Sequence, residues 1–177
     1  HTDLALVHRG SGQNNEALAE YRKAIALDPD LIDARNNLAI TLAGQRQLEA
    51  AVAEFREMTR IDPDSASGYY NMATVLADLD LDVESAAALR EVIRINPNHY
   101  NAHYNIGELF RLDNKYDDAA KEFKEFLRLA PGDTAAGQRN IERAKRLIEQ
   151  FENENATPPD TPRNTAPGSM SRPGQGR

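Results

Sequence analysis

The sequence has no cysteine and no tryptophan, and aromatic residues make up only 6% of its 177 positions. Without cysteine the chain forms neither a disulfide bond nor a thiolate zinc site. No apolar stretch approaches the roughly 20 residues of a membrane-spanning helix, so direct membrane insertion is not expected. The scarcity of large aromatic side chains suits an elongated fold in which each unit packs only on its neighbours.

Sequence patterns typical of catalytic, metal-binding or nucleic-acid-binding sites are also missing. The chain contains no G-x-S-x-G motif, no phosphate-binding loop and no paired carboxylates in an apolar setting, so it is predicted not to be an enzyme and to need no cofactor. His99 and His103 have a metal-ligand spacing but no third ligand, and the acidic turn 78–84 lacks the glycine of a calcium loop. The net charge of −7 argues against nucleic-acid binding, which requires basic patches.

What the sequence does contain is a period of 34 residues, marked by four prolines. Within each period two helical apolar patterns are separated by a short turn and stopped by the proline. Small residues recur at one position of each helix. A large residue directly precedes them in the first helix and follows them by four residues in the second, which indicates closely packed helix pairs. The prolines are Pro29, Pro63, Pro97 and Pro131. The small columns are Ala5, Ala39, Ala73 and Gly107, and Ala17, Ala51, Ser85 and Ala119. The large columns are Leu4, Leu38, Met72 and Ile106, and Tyr21, Phe55, Leu89 and Phe123.

This pattern resembles the tetratricopeptide repeat (TPR) family, whose repeat reads W-x2-L-G-x2-Y, then A-x3-F, then P. The resemblance departs at the tryptophan column, which holds His1, Arg35, Tyr69 and His103. It implies an all-α solenoid of antiparallel helix-turn-helix hairpins over residues 1–131. The predicted units are a partial first repeat (1–29) and three full repeats (30–63, 64–97 and 98–131).

Residues 132–152 are predicted to form a C-terminal capping helix, with an apolar stripe from Ile141 to Phe151. The proline-rich segment 153–177 is predicted to be a disordered tail. The chain begins with His1 inside a repeat, which suggests a truncated N-terminus. A soluble protein of the cytoplasm or periplasm is expected, and the sequence does not decide between these compartments.

The first helices carry a polar face opposite their apolar stripe. On that face asparagine recurs at one position of three repeats, and we call Asn37, Asn71 and Asn105 the asparagine column. Arg139 takes the equivalent position on the capping helix. Further candidate residues on the face are Asn36, Tyr70, Thr74, Asn101, Tyr104 and Glu108.

In the TPR family the first helices line a concave groove, and the resemblance implies that the asparagine column lies there. Some members hold an extended peptide by its backbone with such a column. A carboxamide suits that task because it both donates and accepts hydrogen bonds. Two alternatives stay open: the column is a solvated face, or it ties neighbouring helices together. The carboxylate clamp of chaperone-binding members is not expected, because its basic residues are missing.

The sequence therefore predicts a noncatalytic protein–protein interaction module, a scaffold or adaptor, that binds an extended segment of another protein in its concave groove. An alternative is the C-terminal regulatory or substrate-recruiting region of a larger enzyme, for example a glycosyltransferase. Self-association by end-to-end stacking is a third hypothesis.

Overall fold

The computed structural model of the protein describes residues 1–132 and 135–156, in which every regular element is an α-helix. The helices are α1 (Thr2–Gly10), α2 (Asn14–Leu27), α3 (Ile32–Gly44), α4 (Leu48–Ile61), α5 (Ala66–Asp78), α6 (Asp82–Ile95), α7 (Tyr100–Leu112), α8 (Tyr116–Leu129) and α9 (Ala135–Ala156). The first eight pair as hairpins, and each hairpin packs on the next. This arrangement confirms the predicted α-solenoid. No helix in the described ranges combines the length and the apolar character that a membrane span requires.

The turn inside each hairpin has the same geometry in all four repeats. One residue in each turn adopts a left-handed backbone: Gly12, Arg46, Asp80 and Asn114. The backbone N–H of the following residue then donates to a carbonyl five residues back, at 2.8–2.9 Å. This bond ends the first helix as a Schellman motif and satisfies one of its free carbonyl groups. Positions 34 residues apart therefore share a backbone conformation although their side chains differ.

The junction between repeats is a short turn around each proline. The residue before the proline accepts a hydrogen bond from the backbone N–H two residues later, at 3.1–3.2 Å. The acceptors are the side chains of Asp28, Asp62 and Asn96. Because proline cannot continue the hydrogen-bond pattern of the second helix, this turn redirects the chain into the next first helix.

The side-chain oxygens of Asp30, of Asp64 or Ser65, and of Asn98 could accept free backbone N–H groups, so the sequence predicts N-caps of the first helices at these positions. The N-caps in the structure differ from them in part. Ser65 does cap α5, because its hydroxyl accepts the backbone N–H of Gly68 at 3.3 Å. Asp30 and Asn98 do not cap, since both lie inside the proline turns. The cap residues are instead Leu31, which makes no side-chain bond, and His99, whose ring accepts the N–H of Ala102.

The core follows the repeated columns. The alanine columns and the large second-helix column are buried, with Tyr21 and Phe123 0% exposed. Ser85 fits an alanine column because its hydroxyl donates to the carbonyl of Ala73 at 2.9 Å. Leu4 is an exception to the predicted column and remains 48% exposed. Helices α3, α5 and α7 each pack on the second helix of their own hairpin and on that of the preceding hairpin. Helix α1 packs chiefly on α2, so Leu4 has less surface to pack against.

Where the TPR pattern has tryptophan, this chain has polar residues that bind glutamates on the second helices. In three repeats the polar residue of the tryptophan column binds a glutamate 19 residues later, at 2.5–2.8 Å. The pairs are His1–Glu20, Arg35–Glu54 and His103–Glu122. Arg35 and His103 also donate to the carbonyl of the preceding repeat's proline, at 2.9 and 3.1 Å. These polar bonds join the two helices of a hairpin at the position where the TPR pattern has tryptophan.

Helix α9 caps the array on α8. Ala144, Ile148 and Phe151 are buried, and Phe151 stacks on Tyr116 with ring centroids 4.9 Å apart. The helix extends to Ala156, four residues beyond its predicted end at residue 152. The predicted tail (153–177) therefore starts too early, and residues 157–177 lie outside the described residues.

Gly107 offers a direct test of the packing between α7 and α8. A Cβ atom at this position would lie 2.8 Å from Cε1 and 2.9 Å from Cδ1 of Phe123. We expect Gly107→Ala to lower the free energy of unfolding by about 1–3 kcal/mol, because the buried ring must shift. The control is Gly44→Ala, which meets no atom within 4 Å and should be neutral or stabilising by up to about 1 kcal/mol. Equal melting temperatures for the two variants would contradict the close approach of Gly107 and Phe123.

Candidate functional site

The first helices contact one another along one face of the solenoid, which we call the first-helix face: it consists of α1, α3, α5, α7 and α9. A polar bond joins each helix of this series to the next. The bonds are Arg9–Asn37, Asn71–Asn36, Asn105–Tyr70 and Arg143–Glu108. Most of the predicted site residues are therefore neighbours on one continuous surface.

Asn37 is the most fully bonded member of the asparagine column. Its Oδ1 accepts from the guanidinium of Arg9 at 3.1 Å, and its Nδ2 donates to the carbonyl of Asp33 at 2.9 Å. Arg9 was not among the predicted site residues. Its 28-residue separation from Asn37 does not follow the repeat period, so the period gives no signal for this contact.

Asn71 and Asn105 are bonded more loosely. Nδ2 of Asn71 donates to Oδ1 of Asn36 at 3.3 Å, and Nδ2 of Asn105 donates to the hydroxyl of Tyr70 at 3.4 Å. Both distances exceed the 2.7–3.2 Å range of a strong N–H···O bond. Within the described residues, Oδ1 of neither asparagine accepts a hydrogen bond of 3.5 Å or less. Each carboxamide thus retains an acceptor and a second N–H for a ligand.

Tyr70 and His99 form an aromatic pair between repeats three and four, with ring centroids 4.7 Å apart. Burial raises the pKa of the Tyr70 phenol, an effect that the hydrogen bond from Asn105 partly offsets. Burial lowers the pKa of His99 and favours the neutral ring. The neutral ring is the form that can accept the Ala102 N–H at Nδ1 and cap α7. This pair fixes the orientation of Tyr70 beside Asn105.

Tyr104 packs inward more than the sequence indicates. Its ring lies 5.6 Å from Phe123 and 5.0 Å from Phe126, centroid to centroid. Burial and the negative charge of Glu108 raise the pKa of its phenol, so it stays protonated at neutral pH. Tyr104 is half-buried. Its packing role is thus evident from the contacts, whereas ligand stacking stays a prediction.

A charged cluster lies where α7 meets α9. One carboxylate oxygen of Glu108 accepts from Arg111 at 3.1 Å and from Arg143 at 2.8 Å. Its other oxygen, Oε1, is buried without a hydrogen-bond partner among the described residues. Arg139 lies four residues before Arg143 on α9 and is exposed. The cluster marks the end of the first-helix face that α9 forms.

The remaining predicted site residues lie between these features. Thr74 is exposed, and its hydroxyl donates to the carbonyl of Tyr70 at 3.1 Å. Asn36 and Asn101 are half-buried. Ile40, one repeat before Thr74, is 40% exposed. The middle of the face thus presents uncharged side chains, and its formal charges lie towards the ends.

Two family models match the chain in sequence. One, described as a TPR repeat, matches residues 5–46, and the other, described as a tetratricopeptide repeat, matches residues 83–134. The chain belongs to the tetratricopeptide repeat family. Both matches agree with the hairpins and the 34-residue register. No curated protein matches the chain.

Solved structures support this TPR assignment at the level of the fold. A crystal structure of the MamA protein is 20% identical, with a TM-score of 0.73 over 86% of this chain and 84% of that one. A second MamA structure is 19% identical, with a TM-score of 0.72 over 88% and 98% of the two chains. YrrB, described as a TPR protein with an unusual peptide-binding site, is 20% identical, with a TM-score of 0.67 over 86% and 83%. TPR arrays of this kind are protein-interaction modules.

Proposed function

We propose that this TPR protein is a scaffold or adaptor that binds an extended segment of another protein in a concave groove formed by the first-helix face. The main support for this proposal is the hydrogen-bonding capacity that remains on Asn71 and Asn105. Their present bonds are long, at 3.3 and 3.4 Å, and are made between half-buried side chains. A ligand can replace them at small cost because each is near the distance limit of a hydrogen bond.

The spacing of the column also suits an extended chain. Neighbouring packed helices lie about 8–10 Å apart, and an extended peptide advances about 3.3 Å per residue. Successive asparagines would therefore meet every third residue of the ligand. Because a carboxamide pairs with one backbone N–H and one C=O, recognition at these points depends little on ligand side chains.

The side chains around the asparagine column also suit peptide binding. Tyr70 is held by His99 on one side and by Asn105 on the other, so little side-chain entropy is lost when a ligand packs against it. Ile40 and Thr74 line the middle of the groove, where they can accept small uncharged side chains. YrrB, which has the same fold, is described as a TPR protein with an unusual peptide-binding site, so peptide binding by a chain of this fold has a precedent.

The test is to select ligands from a display library of twelve-residue peptides with the intact chain as bait. Amide hydrogen exchange of the chain, with and without a selected peptide, then locates the binding surface. We expect added protection in α3, α5 and α7 and little change in the second helices α4 and α6. Protection confined to the second helices, or recovery of no peptide at all, would refute the proposed groove.

A further inference from the structure

Three arginines form a stripe on one side of α9. Arg139, Arg143 and Arg146 are spaced i, i+4 and i+7, which places them on one helical face. We call them the arginine stripe. Together with Gln138, Asn140 and Glu142 they line an open cleft of about 690 Å³. In a chain with a net charge of −7, this concentration of positive charge on one helix face stands apart from the overall balance.

The arginine stripe lies next to the first-helix face. Arg143 reaches Glu108 on α7 at 2.8 Å, and Glu108 occupies the column of Ile40 and Thr74. Arg139 occupies the register position of the asparagine column, 34 residues after Asn105. An extended ligand that follows the column would therefore reach the stripe next.

Two members of the stripe have no acidic partner within the described residues. Arg143 is paired with Glu108, whereas neither Arg139 nor Arg146 lies within 4.0 Å of a described carboxylate. Glu142 is spaced i,i+4 from Arg146, but the carboxylate lies 4.0 Å from Lys145 and forms no ion pair with Arg146. Two guanidinium groups thus stay available for a ligand carboxylate, which arginine can bind through two parallel N–H donors.

The opposite end of the first-helix face has two aspartates and one arginine, Arg9, whose guanidinium donates to Asn37. Asp3 takes the register position of the asparagine column on α1, and Asp33 lies one turn before Asn37 on α3. Both side chains are exposed. A ligand with a carboxylate at one end would be repelled by these aspartates and attracted by the arginine stripe. Charge of opposite sign at the two ends distinguishes the two directions in which a peptide can lie.

From this arrangement we infer that the arginine stripe binds an acidic side chain of the partner segment and so sets the direction of that segment in the groove. The inference rests on the proposed function. Given helix spacings of about 8–10 Å and a rise of about 3.3 Å per residue, the acidic residue lies about three positions beyond the residue that meets Asn105. The partner class is thus an extended segment with an acidic residue at a fixed distance from its backbone-bound part.

The experiment compares three forms of the intact chain as bait for the twelve-residue library. They are the unchanged protein, the double variant Arg139→Gln/Arg146→Gln, and the control Arg22→Gln/Arg56→Gln. The control arginines are exposed on the second helices α2 and α4, so both variants lose the same charge. Arg143 is left unchanged because its bond to Glu108 joins α7 to α9.

We expect peptides selected by the unchanged protein and the control to carry Asp or Glu at one recurrent position. The double variant should select peptides without that preference. For one selected peptide, loss of the two arginines should weaken binding by about two- to thirtyfold at low salt, since each exposed ion pair contributes modestly. Replacing the acidic residue with its amide should have the same effect, and the two changes together should cost no more than either alone.

The direction in which the peptide lies in the groove is measured with a nitroxide label on the acidic end of the peptide. The label should broaden NMR signals of α9 and spare those of α1. Peptides that bind the groove without a recurrent acidic residue would overturn the arginine-stripe inference but leave the proposed function standing. Failure to select any peptide would overturn both, and equal losses in the double variant and the control would show a nonspecific charge effect and refute the inference.

Discussion

Replacing Phe123 with alanine is expected to lower the free energy of unfolding by about 3–5 kcal/mol. The ring is 0% exposed, lies against Gly107 and contacts the ring of Tyr104. Its removal takes away apolar contact area and leaves a cavity between α7 and α8 that the helix pair cannot close completely. Thermal and denaturant unfolding measure the loss.

The matched control for this prediction is Val83→Ala. Val83 is 81% exposed, so its truncation should change stability by no more than about 0.5 kcal/mol. A loss for Phe123→Ala as small as the control's would contradict the packing of repeat four.

The destabilisation should also be local. In a solenoid each repeat contacts only its neighbours, so stability spreads through nearest-neighbour interfaces. Hydrogen exchange in Phe123→Ala should accelerate first in α7, α8 and α9 and last in α3 and α4. Phe55→Ala, at the equivalent position of repeat two, should reverse that order. Uniform acceleration across the chain in both variants would show that the array unfolds as a single unit.

Periodicity made the fold predictable from sequence. The alanine columns and the column of Tyr21, Phe55, Leu89 and Phe123 are buried, because a 34-residue repeat places equivalent side chains in equivalent packing environments. The positions of the turns were predictable for the same reason, and one residue with a left-handed backbone recurs in each turn. Several columns in one register specify a fold far more strongly than any single motif does.

Features that break the repeat were predicted less well. Asp30 and Asn98 looked like N-caps, but the preceding Asp28 and Asn96 bind their backbone N–H groups and shift each cap by one residue. Leu4 belongs to an apolar column, yet its exposure depends on what packs beside α1. Such outcomes depend on competing local hydrogen bonds and on neighbouring elements, which a column of residue types does not encode.

In the candidate site, too, the features that follow the repeat were predicted and the individual side-chain contacts were not. The register placed Asn37, Asn71 and Asn105 on one face, and the structure joins that face by bonds from Asn71 to Asn36 and from Asn105 to Tyr70. The register did not predict the hydrogen bond from Arg9 to Asn37 or the ring contact between His99 and Tyr70, because those contacts depend on side-chain conformations. The glutamates that replace the tryptophan contacts carried a usable signal, a spacing of 19 residues found three times.

The second prediction with a large effect concerns the asparagine column itself. Replacing Asn37, Asn71 and Asn105 with alanine should weaken binding of a selected peptide by about 1.5–4.5 kcal/mol. This range assumes independent sites whose hydrogen bonds each contribute about 0.5–1.5 kcal/mol. Calorimetry of the triple variant against the unchanged protein measures the difference.

The single variants should differ in a way that separates ligand binding from helix tying. Asn37 is already bonded to Arg9 and Asp33, so Asn37→Ala should reduce peptide affinity least. Asn71→Ala and Asn105→Ala should reduce it more, because those carboxamides retain free capacity. If the column only ties helices together, the order reverses: Asn37→Ala lowers stability most, and peptide affinity does not change.

Stability provides the control for the triple variant. Alanine is a better helix former than asparagine, and the interhelical bonds that are lost are partly exposed, so the melting temperature should change little. The affinity loss should persist at high salt, because neutral carboxamides rather than charges make the contacts. An intact fold with unchanged affinity would mean that the asparagine column is a solvated face, and that the selected peptides bind elsewhere on the chain.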